Sequence, residues 1–274
     1  MQPTGLDFDQ IDSNPRSVPP ATSATPSTST SDYPDYRTTG DYAPDTPDTA
    51  VDAHRFKECL LTRRGYRVRL ADSPGQRNKA SILINSMYSW RGYATSSLEL
   101  PNYRSPNSIT LEASNDSKLF GTLTLGIDSD EGLLADALYQ QEVDILRCEG
   151  RNVCEITKLA FDPDYSSKEM IASLFHLAYI YAYYIYQRSD ILIEVNPRHA
   201  CFYKRRLGFE QIGELRTCPR VDAPAVLLHI GLDYGTQQID KHAGSRDPRE
   251  KTIYPYFFSK SEVQGLVKRI SGES

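Results

Sequence analysis

The chain has 274 residues, a net charge of −5 and 39% hydrophobic residues, with a pI near 5.6. An acidic balance of this kind argues against nucleic acid as the partner of the domain as a whole. Cys59, Cys148, Cys154, Cys201 and Cys218 are scattered without C-x-x-C spacing, which argues against a disulfide framework or a zinc site and fits a reducing compartment. The first residues show neither a positively charged n-region nor an apolar h-region, so no secretory signal is expected and the location is read as cytoplasmic.

Residues 1–52 are rich in Ser, Thr, Pro and Asp, as in SVPPATSATPSTSTSDYPDY. Without apolar periodicity such a segment cannot offset its ordering entropy, and it is expected to be a disordered tail. YRVRLA (66–71) alternates and predicts the first strand. Asp72-Ser73-Pro74-Gly75 is a turn with helix-starting residues, and a helix follows from about Gln76 towards Tyr88, with Ile82, Leu83 and Met87 on its apolar face. It ends in MYSWRGY (87–93), after which polar residues run to Ser108. SITLEAS (108–114) and KLFGTLTLGI (118–127) read as a hairpin joined at Asn115-Asp116. Residues 130–150 predict a helix that is amphipathic in its second half, through Leu138, Val143, Ile145 and Leu146.

The stretch from Val153 to Glu210 carries the strongest signal. VCEITKLAF reads as a strand, EMIASLFHLAYIYAYYIYQ as a long apolar helix, DILIEVNP as a second strand and RHACFYKRRLGFE as a short helix. This is a right-handed βαβ unit with parallel strands, and a site at their carboxyl ends follows from that topology. Met170 to Tyr186 is nearly all apolar, but shorter than a membrane span, so it is read as protein core. Its Tyr179, Tyr183 and Tyr186 follow helical spacing and are read as packing groups. QIGELRT (211–217) and PAVLLHIGL (224–232) predict the last two strands. From Tyr234 a polar linker leads to a short helix near Ser261–Ile270 that either docks or frays. The layout is a tail (1–52), one folded domain (53–234) and a C-terminal extension (235–274). The fold class is α/β (α+β), a mixed central sheet covered by helices.

A family resemblance enters with particular residues. IEVNPRHACFYKRRLGFE, a strand, an Asn, a short Tyr-bearing helix and a Gly-Phe stop, resembles the core of the GNAT acyltransferases, which implies helices on both faces and splayed parallel strands. MYSWRGY and GLLADALYQQEVDILRCEGRNVCEITKLAF narrow this further. With them the chain resembles the long-chain N-acyl amino acid synthases of the FeeM type, relatives of the LuxI-type acylhomoserine lactone synthases, over roughly Arg67 to Tyr234. Ordinary GNAT enzymes hold the coenzyme A pyrophosphate on a Gly-rich Q/R-x-x-G-x-G/A loop before a helix. Here that junction is FDPDYSSKEM, without glycine and with Asp162, Asp164 and Glu169. Acidic residues there repel pyrophosphate. The resemblance thus implies an acyl-phosphopantetheine donor on an acyl carrier protein (ACP), and no bound cofactor.

The residues that carry the chemistry follow. Glu155 shares its strand with only two other polar residues, Thr157 and Lys158. A carboxylate there is expensive unless paired or functional, and desolvation raises its pKa towards that of a useful base. It is either the base that deprotonates the acceptor ammonium, as the resemblance implies, or half of a buried pair with Lys158 or an arginine. Tyr203 matches the GNAT tyrosine that protonates the leaving thiolate; otherwise it is a core aromatic beside Phe202. Asn196 caps the helix from Arg198 or binds the donor arm. Thr157 is placed with the substrate-binding set. Trp90, Arg91 and Tyr93 form either a lid over the acceptor, with Arg91 pairing its carboxylate, or a surface turn. Asp136 has a substrate or lid-organising role or none. Glu142 or Asp144 pairs with Arg147 on the helix surface. Arg198, Lys204, Arg205 and Arg206 either steer an acidic ACP or form a solvated helix face. The histidines lack metal-ligand spacing, so no metal is expected.

The reading is direct aminolysis of a long-chain acyl-ACP by an amino acid, with tyrosine as acceptor on family grounds alone. No covalent acyl-enzyme is expected, because no cysteine stands in an activating setting. The apolar helix and the strands are expected to wall a tunnel for the acyl chain. The alternatives are an acylhomoserine lactone synthase-like enzyme using S-adenosylmethionine, and a non-catalytic acyl-ACP or lipid-binding module.

Overall fold

A computed structural model describes residues 59–95, 100–101 and 105–272. The tail expected over 1–52 lies outside the described residues. The chain begins with a hairpin of β1 (Cys59–Arg63) and β2 (Tyr66–Leu70), turned at Gly65 with φ +91°. β1 was not expected from the sequence, since CLLTR is too short and too mixed to alternate clearly. α1 (Pro74–Trp90) starts at a capping box in which Ser73 and Gln76 satisfy each other's backbone N–H groups. β3 (Ser108–Ser114) and β4 (Leu119–Ile127) form the expected hairpin, and α2 (Asp136–Cys148) the expected amphipathic helix.

The βαβ unit is present as read: β5 (Val153–Phe161), α3 (Lys168–Ile180) extended by a π turn over Tyr181–Ile185, then β6 (Asp190–Val195). α4 (Pro197–Phe202) follows, capped by the Asn196 side chain and prolonged by a second π turn, Tyr203–Leu207. The predicted strand 211–217 is broken. β7 (Glu210–Gln211) and β8 (Arg216–Cys218) both pair with β9 (Ala223–Gly231), with a loop between them. At Gly213 in that loop a Cβ would stand 2.6 Å from Leu227 Cβ and 2.7 Å from the Tyr139 ring, so the backbone passes where only glycine fits.

The sheet order is β1-β2-β3-β4-β5-β6-β9-β7, with β8 beside β9, and within it only β5 and β6 run parallel. Alternation assigns the two faces. Cys154, Ile156, Ile191, Ile193, Leu228 and Ile230 pack with α3 in the main core. On the other face, Val153, Leu192 and Leu227 pack against Tyr139, Val143 and Leu146 of α2, and Ala160 against Leu83 and Ile84 of α1. The expected C-terminal linker is instead partly helical. α5 (Leu232–His242) continues directly from β9, and α6 (Lys260–Ser271) docks Val263 and Leu266 into the main core. Glu262 pairs with Arg63. His176, fully buried in α3, accepts the Phe258 N–H at 2.8 Å, tying the segment before α6 to the central helix.

Candidate active site

β5 and β6 pair only from Val153↔Asp190 to Ile156↔Ile193. Beyond that point the strands part. β5 also bulges there: Thr124 faces Thr157 but Thr122 faces Ala160, so two steps on β4 span three on β5. Lys158 occupies the bulge with φ +52°. The gap between the parted strands is a cavity of about 150 Å³, below the roughly 300–1,000 Å³ of sites that enclose drug-sized ligands. Its wall takes residues 155–159 from β5, 193–196 from β6 and its end, Tyr203, and Arg91 and Tyr93 after α1.

Glu155 is 5% exposed and projects on the α2 face. Gly126 faces it across β4, and a Cβ there would stand 3.1 Å from Glu155 Cγ, so glycine leaves room for the carboxylate. Leu134 N–H donates to Oε1 at 2.8 Å and Ala135 N–H to Oε2 at 3.0 Å. Burial nonetheless pushes the carboxyl up to about 7, against the pull of these two donors and of Arg220. No ion pair links it to Lys158. A carboxylate that is half-protonated near neutrality and faces a cavity is suited to proton abstraction.

The two donors are held by a buttress. Arg147 binds Asp136 through two bonds (2.9 and 2.7 Å), Asp128 through two (2.8 and 2.6 Å) and Asp144 at 2.8 Å. Asp136 Oδ2 in turn accepts the Leu133 N–H at 2.7 Å. Asp136 therefore organises the loop that grips Glu155 and does not line the cavity. Glu142 pairs with Arg216 instead of Arg147.

Tyr203 lines the cavity from the first residue of its π turn. Its ring meets Phe175, Phe202 and Phe209 edge-on, and burial raises its hydroxyl well above the ordinary 10. Arg91, Tyr88 and Tyr93 are its charged or polar neighbours. Arg91 donates to Met87 O at 3.2 Å and lies over the Trp90 ring. Trp90 itself is exposed and outside the cavity wall. Tyr93 is covered by Arg198, which donates to its hydroxyl at 2.9 Å and to Arg91 O at 3.3 Å. Of the basic set, Arg198 thus latches the cavity mouth and Arg206 bonds Lys251 O. Lys204, bonded to Gln211 at 2.9 Å, and Arg205 are exposed on the surface. Asn196 lines the cavity while accepting the Arg198 N–H at 3.2 Å, so the capping role is present. Thr157 also lines the wall.

Sequence reading missed Glu194 and Arg220, and took Lys158 only as a possible ion-pair partner of Glu155. Arg220 bridges Glu194 Oε2 (2.7 Å) and Leu134 O (2.7 Å) beside Glu155. No periodicity marks a residue in the turn before β9. Among the described residues, none of α3 lines this cavity, and the helix is packed into the core, so α3 does not wall it as expected.

At the β5–α3 junction the backbone is folded on itself. Asp162 O accepts from Tyr165 and Ser166 N–H, its Oδ1 from Asp164 N–H, and Ser167 caps Met170. Lys118 pairs with Asp162 at 2.5 Å. Among the described residues, no group of three or more His, Cys, Asp or Glu is placed to hold a metal, and no helix is long and apolar enough to cross a membrane.

Known proteins share this fold. The structure of FeeM, an N-acyl amino acid synthase from uncultured soil microbes, superposes with a TM-score of 0.55 at 28% identity, covering 61% of this chain and 92% of that one. An acyl-CoA N-acyltransferase from Pseudomonas aeruginosa (TM-score 0.41, 14% identity, 60% and 97% covered) and a spermidine N-acetyltransferase from Vibrio cholerae (0.43, 14%, 62% and 98%) are more distant. No curated protein sequence matches. The profile of the family described as N-acyl amino acid synthase FeeM matches residues 79–231, more than half of the chain. The chain belongs to the FeeM family of N-acyl amino acid synthases, N-acyltransferases, here on a mixed α/β sheet.

Proposed function

We propose that this N-acyltransferase moves a long-chain acyl group from the phosphopantetheine thioester of ACP to the α-amino group of an amino acid. The observation that carries the reading is the placing of Glu155 and Tyr203 on one cavity where the parallel strands part. Glu155, in its ionised form, takes a proton from the acceptor ammonium and passes it to solvent. The free amine attacks the thioester carbonyl. Beyond Ile156 the β5 backbone is not paired with β6, and an N–H there is the candidate donor to the developing oxyanion. The C–N bond forms, the C–S bond breaks, and the second amine proton moves towards the departing thiolate. Tyr203 donates a hydrogen bond to that sulfur. Its raised pKa makes full proton donation to a thiolate of ordinary pKa ~8.5 uphill, so stabilising the leaving sulfur is its main contribution.

The donor assignment rests on the β5–α3 junction. The Asp164, Tyr165, Ser166 and Met170 N–H groups are used within the junction, which has no glycine and carries Asp162, Asp164 and Glu169, and this disfavours a pyrophosphate. Lys204 and Arg205, exposed after α4, are the cations taken to meet an acidic carrier, and a cytoplasmic setting suits such a donor. The test offers purified protein acyl-ACP or acyl-CoA at equal concentration with the protein amino acids, read by mass spectrometry. N-acyl amino acid and holo-ACP from acyl-ACP are expected. Equal turnover of acyl-CoA refutes the donor assignment, and absence of any N-acyl amino acid refutes the reading.

A further inference from the structure

Three cationic side chains, Arg91, Lys158 and Arg220, contribute to the cavity wall. Arg220 is engaged by Glu194 and Leu134 O. Arg91 is engaged by Met87 O and the Trp90 ring. Lys158 differs. It is 8% exposed, yet its ammonium makes no hydrogen bond or ion pair among the described residues. Its backbone holds a left-handed φ of +52°, a conformation that L-residues with a side chain adopt at a cost. Burial, then the Arg220 charge, weakens its hold on a proton, while Glu155 strengthens it. Among the described residues the Glu155 charge alone favours the protonated amine, and no hydrogen bond does, so the anionic group of a ligand suits it as a further partner.

Position selects the ligand group. In an α-amino acid the amine and carboxylate hang on one carbon, so whatever binds the carboxylate stands within a few ångströms of the base that takes the amine proton. Lys158 lies three residues after Glu155 on the same strand, within reach of its charge. Arg91 sits among Tyr88, Tyr93, Tyr203 and Arg198, at the leaving-group end. We infer that the Lys158 ammonium receives the α-carboxylate of the acceptor and so sets its amino group against Glu155. This rests on the amino-acid acceptor proposed above, and it places the carboxylate at the β5 bulge instead of at Arg91. The bulge turns Lys158 into the gap that the separation of β5 from β6 opens.

The test compares wild type, Lys158→Met and Lys158→Gly as full chains with acyl-ACP. The acceptors are the amino acid that wild type uses best and its decarboxylated amine. Met keeps the length without the charge; Gly removes the side chain and suits the positive φ. Loss of a charge-assisted bond is expected to raise KM for the amino acid about tenfold to a hundredfold in both variants, and KM for the amine less than about twofold. Lys158→Arg is expected to stay near wild type. If wild type makes no N-acyl amino acid, the functional reading falls and this inference with it. If wild type makes it, but both variants keep the amino-acid KM or shift amino acid and amine alike, the carboxylate assignment alone is overturned.

Discussion

Replacing Glu155 by Gln should change how stability depends on pH, by an amount that follows from the site. In the folded chain the carboxyl is raised from its ordinary 4.5 to about 7. At ~1.4 kcal/mol per pH unit this gives a penalty of about 3 kcal/mol for folding with Glu155 ionised. The sign follows from proton binding. Below pH 4.5 both states hold the proton and there is no penalty. Between 4.5 and 7 the folded state holds a proton that the unfolded state has released, so stability falls as pH rises, and above about 7 the loss is complete. The Glu155→Gln variant has no such contribution. Its amide N–H₂ does meet one of the Leu134 and Ala135 donors, leaving one buried N–H unpaired at roughly 1–3 kcal/mol, and that cost is independent of pH. Urea denaturation of both proteins at pH values from about 4.5 to about 8 separates the two effects, because all other titrating groups cancel in the difference. The stability difference should move by about 3 kcal/mol in favour of the variant across that range. Parallel curves would show that the folded state does not perturb Glu155.

Two further outcomes follow. Tyr203→Phe should lower kcat by about tenfold to a hundredfold with little change in KM for either substrate, measured by steady-state release of holo-ACP; an unchanged kcat would remove the phenol from the reaction. Asp136→Asn should weaken the Arg147 buttress and slacken the Leu134 and Ala135 donors, so that Glu155 is raised further. The acid limb of kcat/KM should then move to higher pH while the plateau rate holds, and an unmoved limb with a lowered plateau would indicate general damage instead.

Much of this was legible in the sequence where packing follows periodicity. VCEITKLAF and DILIEV announce the parallel pair because both faces of each strand are buried, and Glu155 stands out as a carboxylate in that apolar run. Asn196-Pro197 marks the start of α4 through its cap. What was not legible depends on backbone course. The grip on Glu155 comes from main-chain N–H groups of Leu134 and Ala135, which any residue supplies. Lys158 looks like an ordinary strand residue until the bulge gives it φ +52°. Arg220 and Glu194 meet only because β6 and the turn before β9 are brought together. The break between β7 and β8 reflects the approach of Gly213 to Tyr139 and Leu227. α5 packs on the core through little more than Leu232 and Ile239, with Gly235 between them where a Cβ would stand 3.7 Å from the Tyr179 ring, so its apolar face is too sparse to announce a helix.

The central claim is that Glu155 is the base of an aminolysis. The pH dependence of kcat/KM for acyl transfer, in wild type and Glu155→Gln, tests it most directly. The account predicts a wild-type rate that climbs through pH about 7 to a plateau, and a variant slower by at least about a hundredfold with that limb gone. A Glu155→Gln protein that keeps the wild-type rate and the same limb would contradict it.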